Sequence, residues 1–178
     1  RASLHNYENI DQKDIRIGDM VKIAKGGEII PQVLEVQIEM RTGEEKPILP
    51  PSQCPICSGD VKKDIDGAFY RCLNPECSGG LKARLKFFVS RKAMNIKGMG
   101  DKWIDQLVDQ GLISSLSDLY FLEREDFLKL ERTGETSVDK WLSEIEQSKT
   151  RDLSRVLCAI GIHHIGESLA QALGKHYE

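Results

Sequence analysis

Apolar and polar residues follow two different rhythms along this chain. Up to about residue 53 the rhythm is short. Ile17-Gly18-Asp19 is a turn signal, and Met20-Val21-Lys22-Ile23 follows it with β-type patterning. Leu34, Val36, Ile38 and Met40 alternate with Glu35, Gln37 and Glu39, which predicts one half-buried strand. Lys25-Gly26-Gly27-Glu28 and Arg41-Thr42-Gly43-Glu44 read as tight turns, and Pro47, Pro50 and Pro51 as a linker. This is too little sheet for a closed barrel, so part of a β-domain is expected before Arg1. From residue 81 the rhythm lengthens. Leu81, Leu85, Phe88 and Val89 fall at helical spacing, as do Trp103, Ile104, Leu107 and Val108. Val138, Trp141, Leu142 and Ile145 form a third such stripe, and Leu153, Val156, Leu157 and Ile160 a fourth.

The helical half also repeats itself. Ile96-Lys97-Gly98-Met99-Gly100 precedes a helix predicted over Asp101–Gln110. Leu130-Glu131-Arg132-Thr133-Gly134 precedes one over Glu135–Ser148, and Ile162-His163-His164-Ile165-Gly166 one over Glu167–Leu173. The anchoring glycines, Gly100, Gly134 and Gly166, are 34 and 32 residues apart. A glycine in such a turn lets backbone approach a ligand closely and accept φ > 0. The helix that follows offers unpaired N–H groups and the positive end of its dipole. Together they suit an anion such as a phosphodiester. The plain alternative is a helical array whose tight turns meet no ligand. The first turn, with two glycines and Lys97, is the best phosphate site; the second and third lack the first glycine and can serve partly as packing.

Between the two rhythms lies the most specific signal. Cys54 and Cys57 are C-x2-C, and Cys72 and Cys77 are C-x4-C, with fourteen residues between the pairs. Two close thiolate pairs joined by a hairpin-length segment suit one tetrahedral zinc ion. With sulfur in all four positions no site is left open, so such a zinc is structural. Two disulfides are the competing reading, although nothing else in the chain resembles a disulfide framework. Cys158, in the apolar run Val156–Ile160, is expected to be an inert buried thiol.

Charge sharpens the picture. The formal net charge is −3, but residues 54–100 hold nine Lys and Arg against four Asp and Glu. Residues 101–178 reverse this, with nine against fifteen. Lys82, Arg84, Lys86, Arg91, Lys92 and Lys97 form a basic strip without an acid, suited to a polyanion or to a solvated helix face. No stretch approaches the roughly 20 apolar residues that span a bilayer. Reduced thiols holding zinc fit an intracellular compartment. Glu44-Glu45 and Glu125-Asp126 read as solvated charges, and His163 and His164 as exposed or capping residues rather than ligands or bases.

These motifs, in this order, resemble the bacterial NAD-dependent DNA ligases. Leu4-His5-Asn6, Ile15-Arg16-Ile17-Gly18-Asp19 and Ile29-Ile30-Pro31-Gln32-Val33 precede the four cysteines. Phe88–Met94, Gly98-Met99-Gly100-Asp101-Lys102, Leu130–Glu135 and Ala159-Ile160-Gly161-Ile162 follow them. The resemblance covers the whole chain. It implies a multidomain fold: the C-terminal part of an OB-fold over residues 1–50, a zinc finger over 51–80, and an all-α helix-hairpin-helix domain over 81–178. The last would hold about three repeats and stop before a fourth. It implies a part in sealing nicks in duplex DNA, in replication and repair. AMP from NAD is carried on a lysine to the nick phosphate and displaced by the 3′-hydroxyl. It implies zinc on Cys54, Cys57, Cys72 and Cys77, and NAD and Mg²⁺ bound outside this chain. It implies DNA contacts by Lys25, Ile29 and Ile30 on the OB surface and by Lys97, Gly98, Gly100, Gly134 and Gly166 at the hairpins. Ile29 and Ile30 read alone are equally strand core.

The Lys-x-Asp-Gly nucleophile motif of these ligases is missing. Lys63-Asp64-Ile65-Asp66-Gly67 has one residue too many and reads as a hairpin turn. The chain alone is therefore expected to be inactive, a monomeric clamp for nicked duplex that binds the backbone without base specificity, in the bacterial cytoplasm at the nucleoid. Two other readings stand beside it: a non-enzymatic DNA-binding module or binding arm of a repair nuclease, and a zinc-ribbon interaction protein without nucleic acid.

Overall fold

The computed structural model describes residues 1–26, 30–65, 67–162 and 164–177. The chain divides into two compact units, Arg1–Asn74 and Pro75–Glu178.

The first unit is built from paired short strands and one short helix. Helix α1 (Tyr7–Gln12) starts at Asn6, whose side chain accepts the Asn9 N–H. Strand β1 (Arg16–Ile17) pairs antiparallel with β4 (Lys46–Pro47), and β2 (Val21–Gly26) with β3 (Ile30–Val36). Ile10, Ile15 and Val33 are buried together, flanked by Tyr7, Val21, Val36 and Ile48. One polar pair locks the corner beneath them. Arg41 grips Asp19 with Nε–Oδ1 at 2.7 Å and Nη2–Oδ2 at 2.9 Å, and the Arg16 N–H also donates to Asp19. The Arg41 guanidinium holds the Asp19 carboxyl below its ordinary range.

The predicted long strand through Met40 is not formed. β3 stops at Val36, and Ile38–Met40 is a 3₁₀ turn. Within β3 the pairing is Lys22↔Glu35 and then Ile23↔Val33, so Leu34 is an extra residue in a β-bulge. The bulge reverses which side chains point inward. Val33 is buried, whereas Leu34, Ile38 and Met40 are exposed. Strict alternation assumed an unbroken ladder, and one inserted residue defeats it.

The remaining pair, β5 (Val61–Lys63) and β6 (Tyr70–Cys72), is a hairpin with Val61 opposite Cys72. The Asp64 N–H donates to the Phe69 carbonyl at 2.9 Å and closes its tip. Lys63–Gly67 is thus the end of a strand and a turn, as expected, with Asp66 outside the described residues.

The second unit is helical. Its members are α2 (Ser78–Val89), α3 (Asp101–Asp109), α4 (Arg124–Leu128), α5 (Glu135–Ser148), α6 (Leu153–Ile160) and α7 (Glu167–Tyr177). The four stripes seen in the sequence fall on α2, α3, α5 and α6, while α7 runs beyond the expected Leu173. Leu85, Ile104, Leu107, Leu119, Phe127 and Val138 are fully buried in one core. Trp141 sits in it between Trp103 and Phe127, at ring distances of 4.8 and 5.6 Å. The buried Ser148 hydroxyl is satisfied by the Ile145 carbonyl and the Tyr120 hydroxyl. Cys158 is half-buried rather than buried, because α6 turns Ala159 inward instead.

Candidate metal centre and nucleic-acid interface

The four cysteines meet. Cys54, Cys57, Cys72 and Cys77 offer sulfurs that all lie within 4.8 Å of one another. A tetrahedron of Zn–S bonds near 2.3 Å has edges of about 3.8 Å, so the cluster fits one such ion with small adjustment. Cys57 and Cys72 sulfurs stand 3.5 Å apart. Local backbone delivers each thiol. The Cys54 N–H donates to the Gly59 carbonyl at 2.8 Å and the Ser58 N–H to the Cys54 carbonyl at 2.9 Å, which ties the first knuckle. Ser58 takes the left-handed conformation, φ 57°, that this tight reversal demands. Gly59 leaves room for the sulfurs, since a Cβ there would stand 3.3 Å from Cys57 Sγ. Cys72 ends β6, and Cys77 is the N-cap of α2, where the positive helix end favours a thiolate. Backbone N–H groups of Cys57 and Ile56 lower the Cys54 thiol toward ionisation. Four cysteines in this arrangement can hold a metal ion.

The three glycine turns share a left-handed residue at one position. Gly98, Arg132 and His164 all take left-handed φ, at 85°, 59° and 67°. Each lies two residues before Gly100, Gly134 or Gly166. These three glycines do not adopt positive φ, contrary to the expectation from sequence. Gly100 and Gly134 are extended N-caps of α3 and α5, with φ −79° and −103°. A Cβ at Gly100, Gly134 or Gly166 would meet nothing within 4 Å. Neither backbone strain nor crowding inside the chain therefore demands glycine at these three sites. Neither Gly100 nor Gly134 supplies a side-chain cap, so first-turn N–H groups of α3 and α5 face outward unfilled by one. First-turn acids are offset by cations: Asp101 lies 3.8 Å from Lys86 and Glu135 3.7 Å from Arg124. Gly98 is different. Its φ requires glycine most readily, and a Cβ would stand 3.2 Å from Trp141 Nε1.

Before the first turn lies an open cleft of about 590 Å³ lined by Val89, Arg91, Asn95, Ile96, Lys97 and Gly98. The basic strip divides around it. Lys82 is paired with Asp109 at 2.6 Å, and Lys86 with Asp105 at 2.9 Å. Arg91, Lys92 and Lys97 form no ion pair among the described residues and are the cations at hand. Spacing alone could not separate these groups, because the acids that neutralise Lys82 and Lys86 come from α3. A contributor not visible in the sequence is Arg155 on α6. Its guanidinium donates to the Ala93 carbonyl at 2.9 Å and the Arg91 carbonyl at 2.7 Å.

Comparison with known proteins decides the relationship. Residues 1–45 match the family described as NAD-dependent DNA ligase OB-fold domain. The chain is 46% identical over 177 residues to a DNA ligase of Halalkalibacterium halodurans. It is 47% identical over 178 residues to a DNA ligase of Listeria innocua, and 46% over 180 to one of Thermotoga neapolitana. Each similarity covers 99–100% of this chain and 26% of the relative. The chain belongs to the bacterial NAD-dependent DNA ligases. It spans about a quarter of the length of those relatives.

In this chain β2 carries Lys25 and β3 carries Ile30, two of the residues the resemblance placed on the OB surface. Ile30 is 59% exposed, so it is not strand core. The register pairs Lys25 with Pro31 and Gly26 with Ile30. Lys25 and Ile30 thus lie at alternate positions of the pleat, on opposite faces of the hairpin end. Ile29 lies outside the described residues, as do Gly27 and Glu28 of the expected turn and His163 of the third. No helix of the described residues is long and apolar enough to cross a membrane.

Proposed function

We propose that this chain is the DNA-clamping portion of an NAD-dependent DNA ligase, binding the phosphate backbone of nicked duplex without base specificity. The observation that carries the proposal is the repeated turn: a left-handed residue, then, two positions later, a glycine without positive φ and with open space before it. Glycine at three such sites, where the chain itself does not need it, is what close approach of an outside backbone requires. In this reading each turn and its flanking helices form a helix-hairpin-helix unit. Gly98, Gly100, Gly134 and Gly166 admit phosphate oxygens to helix N–H groups, and Lys97 adds charge. Lys25, Ile29 and Ile30 belong to the OB surface that meets the minor groove at the nick. Cys54, Cys57, Cys72 and Cys77 bind structural zinc in a module of residues 51–80, between an OB part over 1–50 and the helices of 81–178.

The chemistry of adenylation, with NAD and Mg²⁺, belongs elsewhere in such a ligase. The four-sulfur centre has no open coordination position, and no lysine here lies in a Lys-x-Asp-Gly context. The chain acts as a monomer on chromosomal nicks, in the cytoplasm, during replication and repair. Titration of labelled nicked duplex at several salt concentrations tests the reading. With about four phosphates engaged, log K falls against log salt with a slope near −4. Binding that ignores salt, or that follows base sequence, overturns it.

A further inference from the structure

Helix α6 and the loop after α2 meet through the Arg155 side chain. The loop is tied by its own backbone. The Met94 N–H donates to the Phe88 carbonyl, Asn95 to Ser90 and Ile96 to Val89, each at 2.9 Å. Asn95 is held in the left-handed region, φ 51°. The carbonyls of Arg91 and Ala93 are taken up by a residue more than sixty positions away, the Arg155 guanidinium. Its partners are carbonyl oxygens only, and no ion pair of Arg155 occurs among the described residues. The same loop supplies Arg91 and Asn95 to the lining of the cleft, together with Lys97 and Gly98. Ala93, Met94 and Ile96 of the loop are buried, so packing, its own backbone bonds and the Arg155 guanidinium together hold it.

The geometry points to Arg155 as a positioning residue for the anion cleft. By holding two carbonyls of the 91–93 loop it sets where the Arg91 side chain stands relative to Lys97 and the first glycine turn. It thereby couples the helix of the third unit to the phosphate contact of the first. This rests on the DNA-binding reading above. A guanidinium suits this role because its planar fork aims two N–H groups at fixed points, and a lysine ammonium with the same charge cannot.

The test is Arg155→Lys in the full chain, with Arg91→Ala and the double variant, each titrated with nicked duplex across salt. Arg155→Lys keeps the net charge, so an unaltered cleft would leave the salt slope unchanged. We expect binding weaker by on the order of tenfold and a slope shallower by about one, the signature of one lost phosphate contact. In the Arg91→Ala background the same substitution has no further effect on the slope. Undiminished binding by Arg155→Lys, or an equal additional loss in both backgrounds, overturns the positioning role while leaving the DNA reading intact. No loss with Arg91→Ala itself removes the cleft from the DNA interface and the inference with it. Should Arg155→Lys not fold, the unaltered chain still decides. The Arg155 Nε–H resonance should be protected from exchange and carry a scalar coupling to the Ala93 carbonyl, and a freely exchanging signal rules the clamp out.

Discussion

Gly98 and Gly100 stand two residues apart and should respond in opposite ways to a single methyl group. At Gly98, alanine must take φ 85°, a left-handed conformation disfavoured by about 1–2 kcal/mol. Its Cβ would also stand 3.2 Å from the Trp141 indole nitrogen. Trp141 is wedged between Trp103 and Phe127 and cannot yield cheaply. Gly98→Ala should therefore lose about 2 kcal/mol of stability or more. At Gly100 the backbone is extended and the methyl meets nothing within 4 Å. Alanine is the poorer N-cap, by roughly 0.5–1 kcal/mol. It also restricts the unfolded chain, which returns about 0.4–1 kcal/mol. The net change should lie within about 0.5 kcal/mol of zero. Urea unfolding followed by tryptophan fluorescence gives both numbers, since Trp103 and Trp141 report on this core. Duplex binding is then the second axis. Gly100→Ala, stable as the parent, should bind more weakly, and Gly100→Val more weakly again with the salt slope unchanged, because no charge is lost. If Gly100→Ala is as destabilising as Gly98→Ala, or if the valine variant binds as the parent does, the reasoning about open glycines fails.

Two further outcomes are expected. The chain should carry one zinc, and Cys72→Ser should lose it and unfold the 54–80 region while far-UV dichroism of the helices persists; structural zinc in finger peptides is worth roughly 10–16 kcal/mol, and fully folded metal-free protein on elemental analysis would contradict this. Asp118 accepts from the hydroxyls and N–H groups of Ser114 and Ser115, which lower its carboxyl to about 2. Because the folded value lies below the unfolded one near 3.9, its contribution is complete above that pH and disappears as pH falls through about 2. The stability gap between parent and Asp118→Asn should shrink accordingly over that window in thermal melts.

Much of the helical unit was legible because its signals are local. The span of α5, the stripes on α2, α3 and α6, and the cysteine spacing each follow from neighbours in sequence. What stayed hidden depends on partners far away. Nothing near Arg155 indicates that it reaches the carbonyl of Ala93, and nothing near Lys82 announces Asp109. The left-handed backbone at Arg132 and His164 was concealed for another reason: neither is glycine, so the turn's shape persists without its usual marker. In the β unit, alternation misled because periodicity cannot register an inserted residue.

That inserted residue, Leu34, acts as a parity switch. Counting outward from Val36, an unbroken ladder would put Leu34, Gln32 and Ile30 on the side of the small core and turn Val33 to water. With the bulge, Val33 fills the core and Ile30 projects from the hairpin end. Deleting Leu34 would only close the bulge, making the Lys22–Glu35 and Ile23–Val33 pairs consecutive and leaving Val33 inward and Ile30 outward; deleting Gln32 with the bulge kept would turn Ile30 inward. The apolar contact surface of this hairpin is thus encoded as a length as well as a composition: the number of residues between the bulge and the hairpin end decides whether Ile30 faces outward.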